Sequence, residues 1–197
     1  RGRPGILLHA GTGDFAYGVD REGRSLRAGG WGYLLGDEGA GFGLGLSGIR
    51  AALRALEDSG PGTTLTREIL GFFRIRSLTE LKTVVYNRDF QRRQIADFAP
   101  RVIRHARAGD ALAGHLVEEA AFKMAGLVQP ILNRLSFERA DLALTGALFL
   151  KNRSFFEATR RVIASRYEPR LRQVHRGAKS ALDGALWLGR RALEQAP

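Results

Sequence analysis

The sequence predicts an α/β domain in which a short antiparallel strand meander lies beside parallel strands, with a large helical portion between them. Two observations point to this class. The first quarter contains three short strand-like runs separated by glycine-containing turns, and the last third returns from helical spacing to a strand–turn–helix–strand–helix order. Strands joined through a helix run parallel in one sheet, whereas strands joined by tight turns run antiparallel.

The meander is predicted over residues 5–11, 14–19 and 24–28. The first run is apolar and ends in glycine, as a buried strand does. Residues 20–23 form a turn that ends in glycine and connects the second run to the third.

The middle of the chain is predicted to be helical, because its apolar residues recur at helical spacing over residues 46–58, 64–73, 92–108 and 111–134. Thr64 is the expected N-cap of the second helix. Ser77 and Glu80 have the spacing of a capping box. Pro130 should kink or interrupt the last of these helices, because proline cannot donate a backbone hydrogen bond.

The closing part predicts a strand over residues 140–145, a helix over 154–165, a strand over 170–175 and a final helix over 178–195. A strand that leads into a helix suits a ligand-binding sheet, because open α/β sheets bind ligands at the carboxyl ends of their strands.

Composition excludes several classes of function. The chain has no cysteine, so disulfides, thiolate metal sites and cysteine-held iron–sulfur clusters are excluded. No apolar run approaches the roughly 20 residues of a membrane span. The net charge is +11, but the arginines are spread along the chain and no aromatic-and-basic pattern supports base stacking. We therefore expect a cytoplasmic protein that binds neither membrane nor nucleic acid.

Gly11, Thr12 and Gly13 lie between the first two strands and form a candidate phosphate loop, called the GTG loop below. Glycine lets backbone N–H groups approach a phosphate closely, and the threonine hydroxyl adds a donor. A plain hairpin turn would explain the same glycines.

The glycine-rich segment, residues 29–39 (GGWGYLLGDEG), is the most unusual stretch of the chain. Glycines around an aromatic ring and a carboxylate suit the hydroxyls and C–H faces of a sugar. The candidate contacts are Trp31, the adjacent carboxylates Asp37 and Glu38, and the backbone groups that the glycines expose. Alternatively, Trp31 is a core residue and Asp37 is the N-cap of the following helix.

Gly146 and Ala147 join a strand to a helix at a position where open α/β sheets bind ligands. Taken alone, the two residues are better explained as a simple strand-to-helix turn. The small residues 180–185 open the final helix and allow either close packing or close approach of a nucleotide. His9 is expected to be a packed core residue. We find neither a catalytic triad nor a metal-ligand cluster in the sequence, and no P-loop motif.

Taken in order, these motifs resemble the N-acetylglucosamine kinases and related BadF/BadG/BcrA/BcrD ATPases of the actin-like ATPase superfamily. The resemblance covers nearly the whole chain, and the glycine-rich segment is its most specific part. It implies a ribonuclease-H-like fold, ATP and Mg²⁺ as cofactors, and an amino sugar, foremost N-acetylglucosamine, as substrate. It also implies a possible homodimer.

The resemblance assigns nucleotide binding to Gly11, Thr12, Gly13, Gly146 and Ala147. It assigns the amino-sugar site to a second set, namely Gly30, Trp31, Gly32 and Asp37.

Three positions depart from the family pattern. Asp14 and Ala40 stand where serine is usual, and Ala147 stands where a second glycine is usual. A carboxylate at position 14 would repel a phosphate unless Mg²⁺ or a basic group intervenes.

The family's first phosphate loop and its aspartate general base would precede the GTG loop, and neither is found upstream of Gly11. We therefore expect the general base to lie upstream of Arg1, so that no catalytic residue falls within this chain. Residues 1–197 are accordingly expected to be the C-terminal domain of a two-domain sugar kinase, with the N-terminal domain outside this chain. The alternatives are a BadF-type ATPase activator, against which the absence of cysteine argues, and a non-catalytic sugar-responsive domain.

Overall fold

A computed structural model describes residues 4–177 of the chain. Its strands are β1 (Gly5–Ala10), β2 (Asp14–Val19), β3 (Ser25–Gly29), β4 (Ala140–Thr145) and β5 (Leu171–Arg176). They form one five-stranded sheet in the order β3-β2-β1-β4-β5. The meander β1–β2–β3 is antiparallel, and β1, β4 and β5 are parallel neighbours. The predicted α/β class with its mixed sheet is confirmed.

The sheet buries one of its two faces more deeply than the other among the described residues. Along β1 and β4, burial alternates from residue to residue, as expected for strands whose side chains point to opposite faces. Ile6, Leu8 and Ala10 of β1 are fully or nearly fully buried, as are Leu142 and Leu144 of β4. The helices that connect β3 to β4 and β4 to β5 supply the rest of this core.

The helices are α1 (Gly41–Leu56), α2 (Leu65–Phe73), α3 (Leu78–Val85), α4 (Arg92–Ala96), α5 (Ala99–Arg107), α6 (Ala111–Gly126), α7 (Val128–Arg134), α8 (Ala147–Lys151) and α9 (Arg153–Tyr167). A short 3-10 turn, Glu168–Arg170, leads into β5. None of the helices among residues 4–177 has the length and apolar character needed to cross a membrane.

Two predicted helices are each divided into two. The helix expected over residues 92–108 breaks after Ala96, because Pro100 has no N–H to donate to the carbonyl of Ala96, and it instead lies in the first turn of α5. The helix expected over 111–134 breaks at Leu127, which confirms the predicted interruption near Pro130.

The capping predictions were partly wrong. Thr64 immediately precedes α2, but its hydroxyl bonds to His105 and Asp110 instead of capping the helix. Ser77 and Glu80 do not form a capping box, because the Glu80 carboxylate accepts a hydrogen bond from the backbone N–H of Arg76 and not from that of Ser77.

Two expectations concern the ends of the chain, which lie outside the described residues. The predicted helix over 178–195, with its small residues 180–185, is one of them. Arg1 also lies outside the described residues, so the expectation that the general base is upstream of Arg1 stays a prediction.

Candidate functional site

The GTG loop is held against the first turn of α1. Gly11 donates its N–H to the carbonyl of Gly13 over 2.9 Å, which closes the turn. The N–H groups of Gly41 and Phe42 donate to the carbonyls of Gly11 and Thr12, each over 2.9 Å. The loop is therefore fixed by backbone bonds, and the Thr12 side chain lines an adjacent cavity.

Asp37 joins the glycine-rich segment to the GTG loop. Its Oδ1 accepts a hydrogen bond of 2.8 Å from the backbone N–H of Asp14. Its backbone lies in the left-handed region at φ 59°, which non-glycine residues seldom adopt. The alternative interpretation of Asp37 as a helix N-cap is wrong, because Ala40 occupies that position in α1 and no side chain caps the helix.

Asp14 points into the glycine-rich segment and is buried, with 6% of its surface exposed. Its Oδ2 accepts a hydrogen bond of 3.2 Å from the backbone N–H of Gly39. Burial, reinforced by the nearby negative charge of Asp37, raises the pKa of Asp14 to about 6, although bonds from the backbone of Gly39 and Ala40 oppose the rise. The two carboxylates thus lie close together at the base of the site.

A cavity of about 540 Å³ opens beside these two loops. Its lining combines a hydroxyl, a carboxylate, aromatic rings, an amide and two guanidinium groups, which are contributed by Thr12, Asp37, Tyr33, Phe42, Phe90, Gln91, Arg92 and Arg93. This composition suits a polyhydroxylated or anionic ligand with an apolar face, because polar groups orient such a ligand while aromatic rings cover its C–H groups.

Tyr33, which belongs to the same glycine-rich segment as Trp31, supplies an aromatic ring to the lining of the cavity. It packs edge-on against Phe42 at 5.3 Å between ring centroids, and the guanidinium of Arg92 lies 4.5 Å above it. Trp31 is instead 67% exposed, lies near Arg27, and is not among the residues that line this cavity. Trp31 is not a core residue, so that alternative interpretation is wrong.

The glycines that flank Trp31 have different surroundings. A β-carbon at Gly30 would contact the side chains of Phe15 and Arg27, whereas one at Gly32 would meet no atom within 4 Å. Gly32 therefore leaves open space beside Trp31, and the sugar contacts predicted for these three residues remain predictions.

Gly146 lies at the carboxyl end of β4, against the end of β1. A β-carbon there would come within 2.2 Å of the carbonyl oxygen of Ala10, and its φ of 91° also disfavours other residues. Glycine at this position is therefore required by packing alone. Ala147, the first residue of α8, is exposed and has no such restriction.

The two predicted nucleotide-binding elements are neighbours, because β1 and β4 pair in parallel. His9 precedes the GTG loop by two residues. Its Nδ1 lies 3.3 Å from the hydroxyl oxygen of Thr145, and its ring stacks on that of Phe15. Burial lowers the pKa of His9, which favours a neutral imidazole. His9 is half-buried at the junction of both elements, so the expectation of a core histidine holds only in part.

Sequence reasoning missed the cavity's aromatic and basic lining. Tyr33 belongs to the glycine-rich segment but was passed over for Trp31, and Phe90 and Arg92 follow α3, far from both motifs in sequence. Aromatic residues beside the glycines were the available signal for Tyr33. No local pattern identifies the contribution of Phe90 or Arg92.

An α/β sheet with glycine-bearing turns at the carboxyl ends of two neighbouring parallel strands is typical of nucleotide-binding proteins, and the cavity opens beside one of these turns, the GTG loop. The chain belongs to the BadF/BadG/BcrA/BcrD ATPase family, whose sequence model matches residues 1–186.

Individual relatives are sugar kinases. The chain is 36% identical over 146 residues to N-acetylmuramic acid/N-acetylglucosamine kinase of Clostridium acetobutylicum, covering 74% of this chain and 47% of that protein. It is 31% identical over 138 residues to N-acetyl-D-glucosamine kinase of Dictyostelium discoideum, covering 70% of this chain and 43% of that protein. The chain thus spans about half the length of the curated relatives it matches.

Among solved structures, the fold is similar to a protein of Chromobacterium violaceum assigned as an N-acetylglucosamine kinase. The TM-score is 0.74 at 27% identity, and the match covers 95% of this chain and 60% of that one.

Proposed function

We propose that the complete protein transfers the γ-phosphoryl group of ATP to a hydroxyl of an amino sugar, foremost N-acetylglucosamine. The observation that supports this most strongly is that Thr12 and Asp37 line one cavity and that Asp37 is hydrogen-bonded to the residue after the GTG loop. A phosphate contact and a sugar contact would then be adjacent, as phosphoryl transfer requires. Family membership and the names of the relatives support the same reaction.

The proposed roles follow from the two turns and the glycine-rich segment. The backbone N–H of Gly13 and the hydroxyl of Thr12 would hold phosphate oxygens. Gly11 would contribute by closing the turn through its own bond to Gly13, and Gly146 with Ala147 would lie against the adenosine. Asp37 would accept hydrogen bonds from sugar hydroxyls, and Gly30, Trp31 and Gly32 would border the sugar.

The catalytic base is proposed to lie upstream of Arg1, outside this chain. It would remove the proton of the acceptor hydroxyl, whose oxygen then attacks the γ-phosphorus as ADP leaves. The residues of this chain would contribute positioning and charge stabilisation, which supply most of the catalysis in phosphoryl transfer.

The residues present fit Mg²⁺ only as a companion of bound ATP. Within residues 4–177, no group of three or more His, Cys, Asp or Glu side chains converges on one point. Mg²⁺ in kinases needs only one or two carboxylates in addition to the phosphates and water. Asp37 is the carboxylate that lines the cavity, and because it is proposed to hold the sugar, the phosphates and water would be the principal ligands of Mg²⁺, which would neutralise the charge of the phosphates.

We further propose that residues 1–197 form the ribonuclease-H-like C-terminal domain of a two-domain protein. The strand order, with an antiparallel meander followed by parallel strands, supports this assignment. The preceding domain would close the site. A homodimer is consistent with the family resemblance. The proposed location is the cytoplasm, where ATP is supplied.

The competing function is a sugar-responsive domain without catalysis. Asp14 favours it by its identity, because an aspartate stands directly after the proposed phosphate loop where the family usually has serine, although its carboxylate is buried against Gly39. Sugar-dependent ADP release separates the two. We expect the full-length protein to release ADP with N-acetylglucosamine or glucosamine, and residues 1–197 alone to release none above buffer. Binding of sugar without ADP release by the full-length protein would favour the sugar-responsive domain, and turnover by residues 1–197 alone would show that the base is not outside this chain.

A further inference from the structure

Arg92 places an available positive charge inside the candidate sugar site. Its guanidinium lies 4.5 Å above the ring of Tyr33 and lines the cavity together with Asp37. No carboxylate of residues 4–177 forms an ion pair with it, whereas the neighbouring Arg93 pairs with Asp97 over 3.7 Å. Stacking on an aromatic ring orients the guanidinium plane and leaves its N–H donors along the edge available.

The cavity also holds the negative charge of Asp37, with the Asp14 carboxylate beside it. These charges would repel an anionic ligand that had no basic partner. A guanidinium within the same cavity changes that balance, because it binds a carboxylate through two parallel charge-assisted hydrogen bonds.

We infer that Arg92 is a specificity-determining residue that binds the carboxylate of an acidic amino sugar and so extends the substrate range beyond neutral sugars. The inference rests on the proposed function. Its structural basis is that Arg92 stacks on Tyr33, which belongs to the same glycine-rich segment as Asp37. N-acetylmuramic acid, an N-acetylglucosamine that carries a carboxylate on an ether side chain, has this chemistry and serves as the probe.

The same guanidinium could instead bind a phosphate of ATP, because Thr12 lines the same cavity. The kinetic experiment therefore follows KM for ATP as well as for both sugars. The variants are Arg92→Gln, which removes the charge, and Arg92→Lys, which keeps the charge but loses the planar fork. Arg88→Gln is the matched control, because Arg88 is exposed in the preceding loop and is not among the residues lining the cavity.

In the full-length protein, Arg92→Gln is expected to lower the ratio of kcat/KM for N-acetylmuramic acid to that for N-acetylglucosamine by about ten- to a hundredfold. Arg92→Lys should lower it less, and Arg88→Gln should keep the ratio of the wild type. Thermal melting of each variant confirms that it is folded.

Three results would overturn the inference while leaving the proposed kinase intact. They are phosphorylation of N-acetylglucosamine but not of N-acetylmuramic acid by the wild type, an equal loss for both sugars in Arg92→Gln, and a rise in KM for ATP alone. Failure of the wild type to phosphorylate either sugar would instead reject the proposed function, and this inference with it.

Discussion

The backbone N–H of Asp14 donates to Oδ1 of Asp37 over 2.8 Å, and this bond joins the GTG loop to the glycine-rich segment. The carboxylate of Asp37 consequently lies directly over Gly13, where a β-carbon would come within 2.5 Å of Oδ1. Since these loops are the proposed phosphate and sugar contacts, a change in one should displace the other.

Gly13→Ala tests this coupling. The added methyl group should push Asp37 away from the N–H of Asp14 and leave a part-buried donor without its partner. Such a loss costs about 1–3 kcal/mol, and at about 2–4 °C per kcal/mol it should lower the Tm by roughly 2–12 °C. The KM for the sugar should also rise, although position 13 belongs to the proposed phosphate loop.

Gly62→Ala is the matched control for the methyl group, because a β-carbon there meets no atom within 4 Å. It should change the free energy of unfolding by no more than about 1 kcal/mol. A Gly13→Ala protein with the Tm and sugar KM of the control would show that the two loops are independent.

The raised pKa of Asp14 predicts a pH-dependent penalty on stability. An aspartate in an unfolded chain has a pKa of about 3.9, whereas Asp14 in the folded protein has a pKa of about 6 because it is buried beside Asp37. Between these values the folded state holds more protons than the unfolded state, so stability falls as the pH rises through this window. The penalty is absent below it and complete above it, at about 2–3 kcal/mol.

Asp14→Asn should remove this penalty, since the amide oxygen can still accept the hydrogen bond from Gly39. The Tm of the variant relative to that of the wild type should therefore increase as the pH rises from about 4 to about 7. Other titrating groups are common to both proteins and cancel in the difference. A Tm difference that stays constant over this range would show that Asp14 has an ordinary pKa.

The strands could be predicted from sequence because each is a short run bounded by glycine, but the start of α1 could not. The helical spacing predicted a start at residue 46, whereas α1 begins at Gly41 and includes Gly43 and Gly45. Other backbone segments pack so closely against this part of α1 that a side chain has no room at either position. A β-carbon would come within 2.3 Å of the Glu38 carbonyl oxygen at Gly43, and within 2.0 Å of that of Ile95 at Gly45. Helix propensity does not detect such packing.

The sequence identified the separate motifs of the candidate site but not the contacts between them. The GTG loop and the glycine-rich segment stand out by composition, but the bond between Asp37 and Asp14 depends on how the chain returns after β3. The orientation of Asp14 shows the same limit. Its position after the GTG loop suggested a carboxylate facing phosphate, whereas its side chain is buried against Gly39.

Ala147→Leu probes the proposed adenosine contact. Gly146 is unsuitable for this purpose, because any side chain there would collide with Ala10 whether or not a nucleotide binds. Ala147 is exposed in α8 and leucine is a good helix former, so Ala147→Leu should keep the Tm of the wild type and raise the KM for ATP more than that for the sugar. The opposite order of the two KM values would show that this turn does not face the nucleotide.

Asp37→Asn tests the central claim most directly, because asparagine keeps an oxygen that can accept the hydrogen bond from Asp14 while removing the charge. A hydrogen bond to a charged group is worth about 1.5–3 kcal/mol, so calorimetric titration of the full-length protein should show sugar affinity weakened by about ten- to a hundredfold. The Tm should stay close to that of the wild type, whereas Asp37→Ala, which removes the bond to Asp14 as well, should lower it. Unchanged sugar affinity in Asp37→Asn together with a lower Tm would mean that Asp37 only joins the two loops, and would contradict the proposed sugar site.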